Sequence, residues 1–570
     1  MSRRLKEKYR ERLSVEKGYH RKLWGDRIPV CLAYPHTYRT AMSNLGFQTV
    51  YELLNRHPSF LCERAFLPDP GDERAFSPGS TLLFSLESGR PLPDFDIVAF
   101  SVSFENDYIH ILRMLAMGRI TLESQERKTG EPLILGGGIA PTLNPEPLAP
   151  FFDLFLLGEG EEVIGEFLDL YAALMGSGAS REEILSRIQR QIEGAYVPRF
   201  YAVRYDRENR VESFKPVDPV FPEKIRSRHI RDINAFETCE TILTPQTEFA
   251  DMFLTEVSRG CARGCLFCAA GYVYRPARFR GLDRLAPSVE RGLQAKGRVG
   301  LLGTAVSDHP GLKTLCRSIL DRGGAFSIGS LRADRLTDEM AELLKSSRVE
   351  MVSLAPEAGT QRLRDLIRKG ITEEDVLRAA EALINRGILN LRLYFMVGLP
   401  TETDEDIDGV IDLTRRVKHH VTKASAGRRR FRRITLSINQ FIPKPATPFQ
   451  WENLADIRLV RKRIRKISQA LGKEASVAVT HDLPKWNYIQ ALLSLGDRRV
   501  SQILVTVQQK NGNWPQALKE VHVNPDFYVY RKKGLDEILP WDFIDHGIGR
   551  EMLAKEYLEA LGQSRKAYSP

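Results

Sequence analysis

Three cysteines, Cys261, Cys265 and Cys268, crowd into the stretch EVSRGCARGCLFCAAGY, Glu256 to Tyr272, of a chain of 570 residues that holds only seven. Gly260 and Gly264 lie between and beside them and allow the tight backbone wrapping that clustered thiols need. A structural zinc takes four protein ligands, and no fourth Cys or His stands at the usual spacing, which disfavours zinc. A four-iron, four-sulfur cluster held by three thiolates keeps one iron free of protein. Such an iron can take the amine and carboxylate of a small molecule and pass one electron into a sulfonium.

Something must hold that loop in place, and the flanking pattern says what. From Phe253 onward, short apolar runs ending in loops alternate with helical stretches: GRVGLLGTAVSDHP, AFSIGSLRADRL, VEMVSLAPEAGTQRLR, ILNLRLYFMVGLPTET and RITLSINQFIPKPATP. The stretch ITEEDVLRAAEALINRG predicts a helix capped by Thr372 with Asp375 behind it, an apolar face at Val376, Ala379, Ala380 and Leu383, and a stop at Gly387. Five such units after the cysteine strand predict a partial βα barrel, in which chemistry gathers at the carboxyl ends of the strands.

The same alternation precedes it. RIPVCLAYPHTY, a strand near Phe60, FDIVAFSVSFEND, PLILGGGIAP and FFDLFLLGEGEE, with a helix opening at Ser43 or Asn44, predict a parallel, doubly wound sheet. Its ligand loops are expected at 101–106, 136–142 and 158–161. The fold class is therefore α/β: an N-terminal Rossmann-like domain, a central partial (β/α)6 barrel and a C-terminal, mainly helical α+β unit. The boundaries read as a basic leader over 1–27, the first domain over 28–200, a charged, proline-rich linker over 201–248, the barrel over 249–450 and an accessory domain over 451–570.

Composition narrows the setting. No apolar run approaches the ~18 to 20 residues of a membrane span, and the N-terminus lacks the apolar core of a secretory signal. An odd, scattered cysteine count is no disulfide framework, so a cytoplasmic protein is expected, with Cys239 and Cys316 as buried apolar residues. The net charge of +10 suits an RNA or phosphate-bearing partner without requiring one. Two basic runs, RRRFRR from Arg428 and RLVRKRIRKIS from Arg458, could touch phosphates, although solvated faces explain them as well.

The cysteine spacing, with Phe267 just before the last thiol, resembles the signature of the radical S-adenosylmethionine (SAM) superfamily, over roughly Phe253 to Phe449. The resemblance implies an enzyme that cleaves SAM reductively at a [4Fe-4S] cluster on Cys261, Cys265 and Cys268, yielding a 5′-deoxyadenosyl radical that abstracts a substrate hydrogen. It further implies SAM contacts at Gly303 and Thr304 (amino group), at Ser330, Arg332 and Glu357 (ribose, amino group or carboxylate) and at Gly398 (adenine), with Thr403 and Asp404 as helix caps. Asp308 and His309 are candidates for proton transfer. A one-electron donor such as flavodoxin or ferredoxin is the implied partner.

The first domain, over about Ile28 to Leu174, resembles the cobalamin-binding domain fused ahead of many radical SAM enzymes. By that resemblance Ser101, Ser103, Gly136, Gly137, Gly138, Gly158, Glu159 and Gly160 surround the cofactor's nucleotide tail. The Asp-x-His-x-x-Gly motif of one cobalamin class is absent, so a histidine lower ligand is not expected. With GDRRV and WDFIDHGI near its end, the whole chain is similar to an uncharacterised group of cobalamin-domain radical SAM proteins. The implied activity is cobalamin-dependent radical methyl transfer to an unidentified substrate. Two alternatives stand beside it. One is a cobalamin-independent, RNA-modifying radical SAM enzyme, although Cys31 and Cys62 are too few for the second cluster of the methylthiotransferases. The other is a hydrogen-abstracting enzyme whose first domain is only a docking scaffold.

Overall fold

The computed structural model describes residues 2–76, 80–425 and 431–562. The first apolar runs become strands β1 (Ile28–Tyr34), β2 (Phe60–Phe66), β3 (Ile97–Ser101), β4 (Leu133–Gly137), β5 (Leu154–Leu156) and β6 (Ala195–Tyr196). They form one sheet in the order β2-β1-β3-β4-β5-β6, parallel except where β6 runs against β5. Every residue of β2 is buried, as a sheet covered on both faces requires. The order reverses direction between β1 and β3, the switch point at which doubly wound sheets open a crevice. The helix Leu45–Arg56 begins there, with Asn44 Oδ1 accepting the Phe47 N–H.

The segment read as a linker is built into the structure. Strands β7 (Tyr201–Tyr205) and β8 (Val211–Pro216) form an antiparallel hairpin, and β9 (Ile225–Arg226) pairs with residues 544–545 near the end of the chain. Farther along, Gln48 Oε1 accepts the N–H groups of Thr241 and Ile242, both at 3.0 Å. The basic leader is likewise packed. Its helix Ser2–Ser14 buries Leu5, Tyr9 and Leu13, and Glu16 forms a fully buried pair with Arg64 at 2.6 Å.

The barrel strands are β10 (Phe253–Arg259), β12 (Arg298–Gly303), β13 (Ala325–Ile328), β14 (Met351–Glu357), β15 (Asn390–Val397), β16 (Arg433–Gln440) and β17 (Val477–His481), with the short β11 (Arg278–Phe279) antiparallel beside β10. They make two parallel sheets, β10-β12-β13 and β14-β15-β16-β17, joined by a parallel bridge from Leu331 to Leu354. β17 lies beyond the boundary drawn at 450 and adds a seventh parallel strand to the expected six. Alternation sets the two faces of β15. Leu391, Leu393, Phe395 and Val397 are buried under the outer helices, while Asn390, Arg392, Tyr394 and Met396 face the lumen, partly buried. The helix Glu373–Asn385 carries the expected capping box, Thr372 with Asp375, and the helix Asp404–Ala424 carries a second, Thr403 with Asp406. Thr403 is thus a cap, as expected, while Asp404 is the first helical residue.

After Trp451 the chain supplies the helices Ile457–Leu471, Pro484–Leu495, Val500–Gln509 and Arg550–Ala560, and finally β18 (Ile544–Asp545), the partner of β9. This unit leans on both others. Asn144 Nδ2 donates to the carbonyls of Ser494 and Gly496, at 3.1 and 2.7 Å, and Tyr272, just after the cysteines, donates to Glu556 at 2.9 Å. One hydrophobic core runs through the first domain and the C-terminal helices, and a second lies between the barrel and its outer helices. No described helix is long and apolar enough to cross a membrane. Of the two basic runs, Arg428 to Arg430 lie outside the described residues. The run from Arg458 forms a helix that buries Val460, Ile464 and Ile467, pairs Arg463 with Glu402 at 2.6 Å, and exposes Arg458, Arg461, Lys462 and Arg465.

Candidate functional site

Strand β10 delivers the three cysteines to the carboxyl end of the barrel. Gly260 and Gly264 both adopt positive φ, 77° and 69°. At Gly260 a Cβ would stand 2.1 Å from the Tyr274 carbonyl oxygen, so only glycine lets the loop turn that closely. Cys265 is buried, and Cys261 and Cys268 are partly exposed. Burial pushes the Cys265 and Cys268 thiols up, opposed by Lys369 at the first and the Gly271 N–H at the second. The loop is anchored by the Leu266 N–H on the Ile367 carbonyl at 3.1 Å. Phe267 packs at the edge of the first domain's core.

Among the described residues, no three His, Cys, Asp or Glu side chains are gathered as ligands of one ion. An iron–sulfur cluster makes a different demand, because its thiolates bind separate irons. Three thiols on one glycine-bent loop, beside the cations Lys369 and Arg332 and a backbone N–H on Cys268, fit a cluster whose thiolates bring negative charge.

The second half of the site is a cleft of about 420 Å³ between the first domain and the barrel. Leu32, Ala99, Leu135 and Leu156 of the sheet form its apolar floor, with Val50, Leu53 and Ile164 on the flanking helices. Around its rim stand Ser101, Ser103, Gly137, Gly138, Gly158, Glu159 and Gly160 from the first domain, and Gly303 and Thr304 from β12. Most of the first-domain set and two of the SAM-contact candidates, Gly303 and Thr304, therefore meet in one space, while the three cysteines, Ser330, Arg332, Glu357 and Gly398 do not line it. Asn44, read only as a helix cap, also lines it, donating through Nδ2 to Tyr34 Oη and Ser103 Oγ, each at 3.2 Å. The buried Ser258 hydroxyl, at the rim on β10, has no hydrogen-bond partner among the described residues.

Several of these residues have local reasons to be what they are. Gly138 has φ 108°, and its Cβ would meet the Val102 carbonyl oxygen at 2.4 Å. Gly158, at φ 105°, lies against Arg228, with which it forms a strand bridge. Gly136 is outside the cleft and leaves room for the Phe155 ring. The Glu159 carboxylate is committed: Arg278 reaches both its oxygens, at 2.6 and 2.8 Å, and the Ile230 N–H donates at 2.7 Å. Next along, Glu161 accepts from Arg259 at 2.7 Å, and Arg259 also binds Glu256 at 2.9 Å. Burial lowers the Arg259 pKa, but these carboxylates outweigh it and raise it well above its ordinary value. Arg259 immediately precedes Gly260 and Cys261, so the first domain's Gly-Glu-Gly loop and the cysteine loop share one charge network. Sequence reading missed it; the one visible sign was the arginine density of RPARFR, 275–280.

The remaining candidates lie on the other strand ends. Glu357 sits at a bulge with φ 69° and pairs with Lys369 at 3.0 Å. Arg332 Nη2 donates to the carbonyls of Lys369 and Gly370, at 3.0 and 3.2 Å. Ser330 is exposed, and its side chain makes no hydrogen bond among the described residues. Gly398, at φ 82°, donates its N–H to Glu402 at 2.7 Å, and burial pushes Glu402 up to about 7. The two proton-transfer candidates are otherwise occupied. Asp308 is gripped by Arg263, whose pull outweighs burial and holds it below the usual carboxylate range. His309 is buried between the Arg280 carbonyl at 2.9 Å and the Gly311 N–H at 3.0 Å, which fixes its proton on Nε2 and leaves no free nitrogen.

Comparison with known proteins finds family matches in both the barrel and the first domain. Residues 255–414 match the radical SAM superfamily, and residues 46–198 match the N-terminal domain of radical SAM proteins. An uncharacterised protein of Methanocaldococcus jannaschii is 29% identical over 479 residues, 83% of this chain and 90% of that one. A tRNA-2-methylthio-N(6)-dimethylallyladenosine synthase of Cereibacter sphaeroides is 28% identical over 251 residues, and the match covers 42% of this chain and 54% of that one. Among solved structures, the cobalamin-dependent SAM radical enzyme OxsB, with aqua-cobalamin and SAM bound, aligns over 94% of this chain and 79% of that one, at 14% identity and a TM-score of 0.47.

Proposed function

We propose, for a chain that belongs to the radical SAM superfamily through both matched domains, that it is a cobalamin-dependent radical methyltransferase acting on a substrate still to be identified. The observation that carries this reading is the single cleft that joins the crevice of the doubly wound sheet to the ends of β10 and β12, beside the cysteine loop. A reduced [4Fe-4S] cluster would supply the electron that splits SAM, and a corrin would supply the methyl group to be transferred.

The chain's own residues set the conditions for that chemistry. Cys261, Cys265 and Cys268 would hold the cluster. Gly303 and Thr304 offer backbone and hydroxyl groups to the SAM amino group, and Glu357 with Lys369 offers a charge pair of both signs near the cysteine loop. Gly398 and the following Leu399 and Pro400 provide a surface for adenine. In the first domain Ser101, Ser103, Gly137, Gly138 and Gly160 line the wall against which a corrin's nucleotide tail fits, above an apolar floor that excludes water. Glu159 and Glu161 serve from behind, by fixing the loop through Arg278 and Arg259. A small acidic electron donor such as flavodoxin or ferredoxin would deliver the electron.

The test is an anaerobic reconstitution with iron, sulfide and hydroxocobalamin, followed by desalting and an absorbance spectrum. Wild type is expected to keep corrin bands at about one per chain together with a cluster absorbance. The triple variant Cys261→Ala, Cys265→Ala, Cys268→Ala should lose the cluster and keep the corrin. A cluster without corrin would sink the methyltransferase and favour a cobalamin-independent, RNA-modifying enzyme.

A further inference from the structure

We propose that the barrel lumen binds a small anionic molecule, one carrying a carboxylate or phosphate group, through Arg392 and Arg298. Along β15 and β16 the paired residues Arg392 and Thr435, Tyr394 and Ser437, and Met396 and Asn439 stand side by side. All are partly buried and on the face turned away from the outer helices. Ser353 of β14 pairs with Arg392 and continues the row.

These polar side chains are uncommitted. Arg392, Tyr394, Thr435, Ser437, Asn439 and Ser353 make no side-chain hydrogen bond or ion pair among the described residues, although the Nε of Arg392 is sealed from solvent. Arg298, on the lumen side of β12, has the Ser327 hydroxyl at 3.2 Å and no carboxylate. The seven barrel strands carry two acids, Glu256 and Glu357, and both are spoken for, by Arg259 and Arg280 and by Lys369. The lumen thus holds two guanidiniums that cannot shed their charge and have no counter-charge among the described residues.

A buried donor without an acceptor is costly, and a guanidinium's fork of N–H groups matches a carboxylate or phosphate. Hydroxyl and amide groups in neighbouring register supply further contacts. The two curved sheets flank the site on their inner faces, which favours a small molecule over a polymer. The binding does not depend on the radical SAM reading or on the first domain's cofactor.

The test is calorimetric titration of the anaerobically reconstituted full chain with inorganic phosphate and, separately, with succinate. Wild type should bind at least one of them at a single site, and which one binds more tightly tells a phosphorylated ligand from a carboxylate. Arg392→Met should weaken that binding by about tenfold or more, with the cluster absorbance as a separate check that the fold and cysteine loop survive. Should that variant not fold, Arg298→Met carries the same expectation. The exposed double variant Arg461→Met, Arg465→Met should bind as wild type does. The proposal is overturned if neither anion binds, if both lumen variants bind like wild type, or if only the exposed variant loses binding. Binding of a short single-stranded RNA that neither anion displaces, with no binding of the small anions themselves, would also overturn it.

Discussion

The junction between the first domain and the barrel differs sharply from the barrel lumen, although both are rich in arginine. At the junction three guanidiniums face carboxylates: Arg278 on Glu159, Arg259 on Glu161 and Glu256, Arg280 on Glu256. In the lumen Arg392 and Arg298 face none. A saturated network holds a shape, because each charge is neutralised inside the protein. An unsaturated one is finished only by something from outside. Arginine therefore marks a scaffold in one place and a receptor in the other.

That contrast can be broken by stability measurements. The largest effect is expected from Arg278→Met, which strands the buried Glu159 carboxylate and should cost about 3–5 kcal/mol in denaturant unfolding. A loss no larger than that of the lumen variant would erase the distinction.

A smaller effect sharpens it from the C-terminal unit. His546 is also uncommitted: neither ring nitrogen has a partner among the described residues, and burial lowers its pKa from 6.5 to about 4. The unfolded chain takes up this proton below 6.5, while the folded chain waits until about 4. Its contribution to stability is therefore complete above 6.5 and lost progressively as the pH falls toward 4. Between pH 7 and 5 wild type should lose about 2 kcal/mol more than His546→Leu. Identical pH profiles would mean that the ring is solvated after all.

The smallest effect belongs to the lumen. Arg392→Met removes a charge with no partner, so stability should change by less than about 0.5 kcal/mol or rise slightly. A loss of several kcal/mol would reveal a hidden partner and make the lumen a scaffold too.

Local signals made much of this legible in the sequence. Thr372 with Asp375 announces a helix start because both partners of the capping box are three residues apart, and the structure has that box. The apolar runs ending in glycine or polar loops gave every barrel strand up to β16, since period-two burial is written along one strand. The rim serines and glycines of the first domain were also found, because strand-to-helix turns demand small residues. What escaped is long-range. Arg278 and Glu159 meet across 119 positions of the chain, and no periodicity encodes such a pair. Asn44 was read for its cap alone, since only the fold brings its other hydrogen bonds to the cleft. The stretch 201–248 looked like a linker because its buried residues are spaced irregularly. It is nonetheless held by backbone hydrogen bonds that any sequence can make.

The C-terminal helices that complete the first domain's core also impose an order in time. Arg498 binds Glu146 at 3.1 Å, Asn144 grips the turn at Ser494 to Gly496, and β18 pairs with β9. While the chain is being synthesised, the earliest domain to leave the ribosome exposes apolar surface that only the last segment can cover. Its early half must wait for its end, and a ribosome that stops short of β18 leaves β9 unpaired and part of the shared core uncovered.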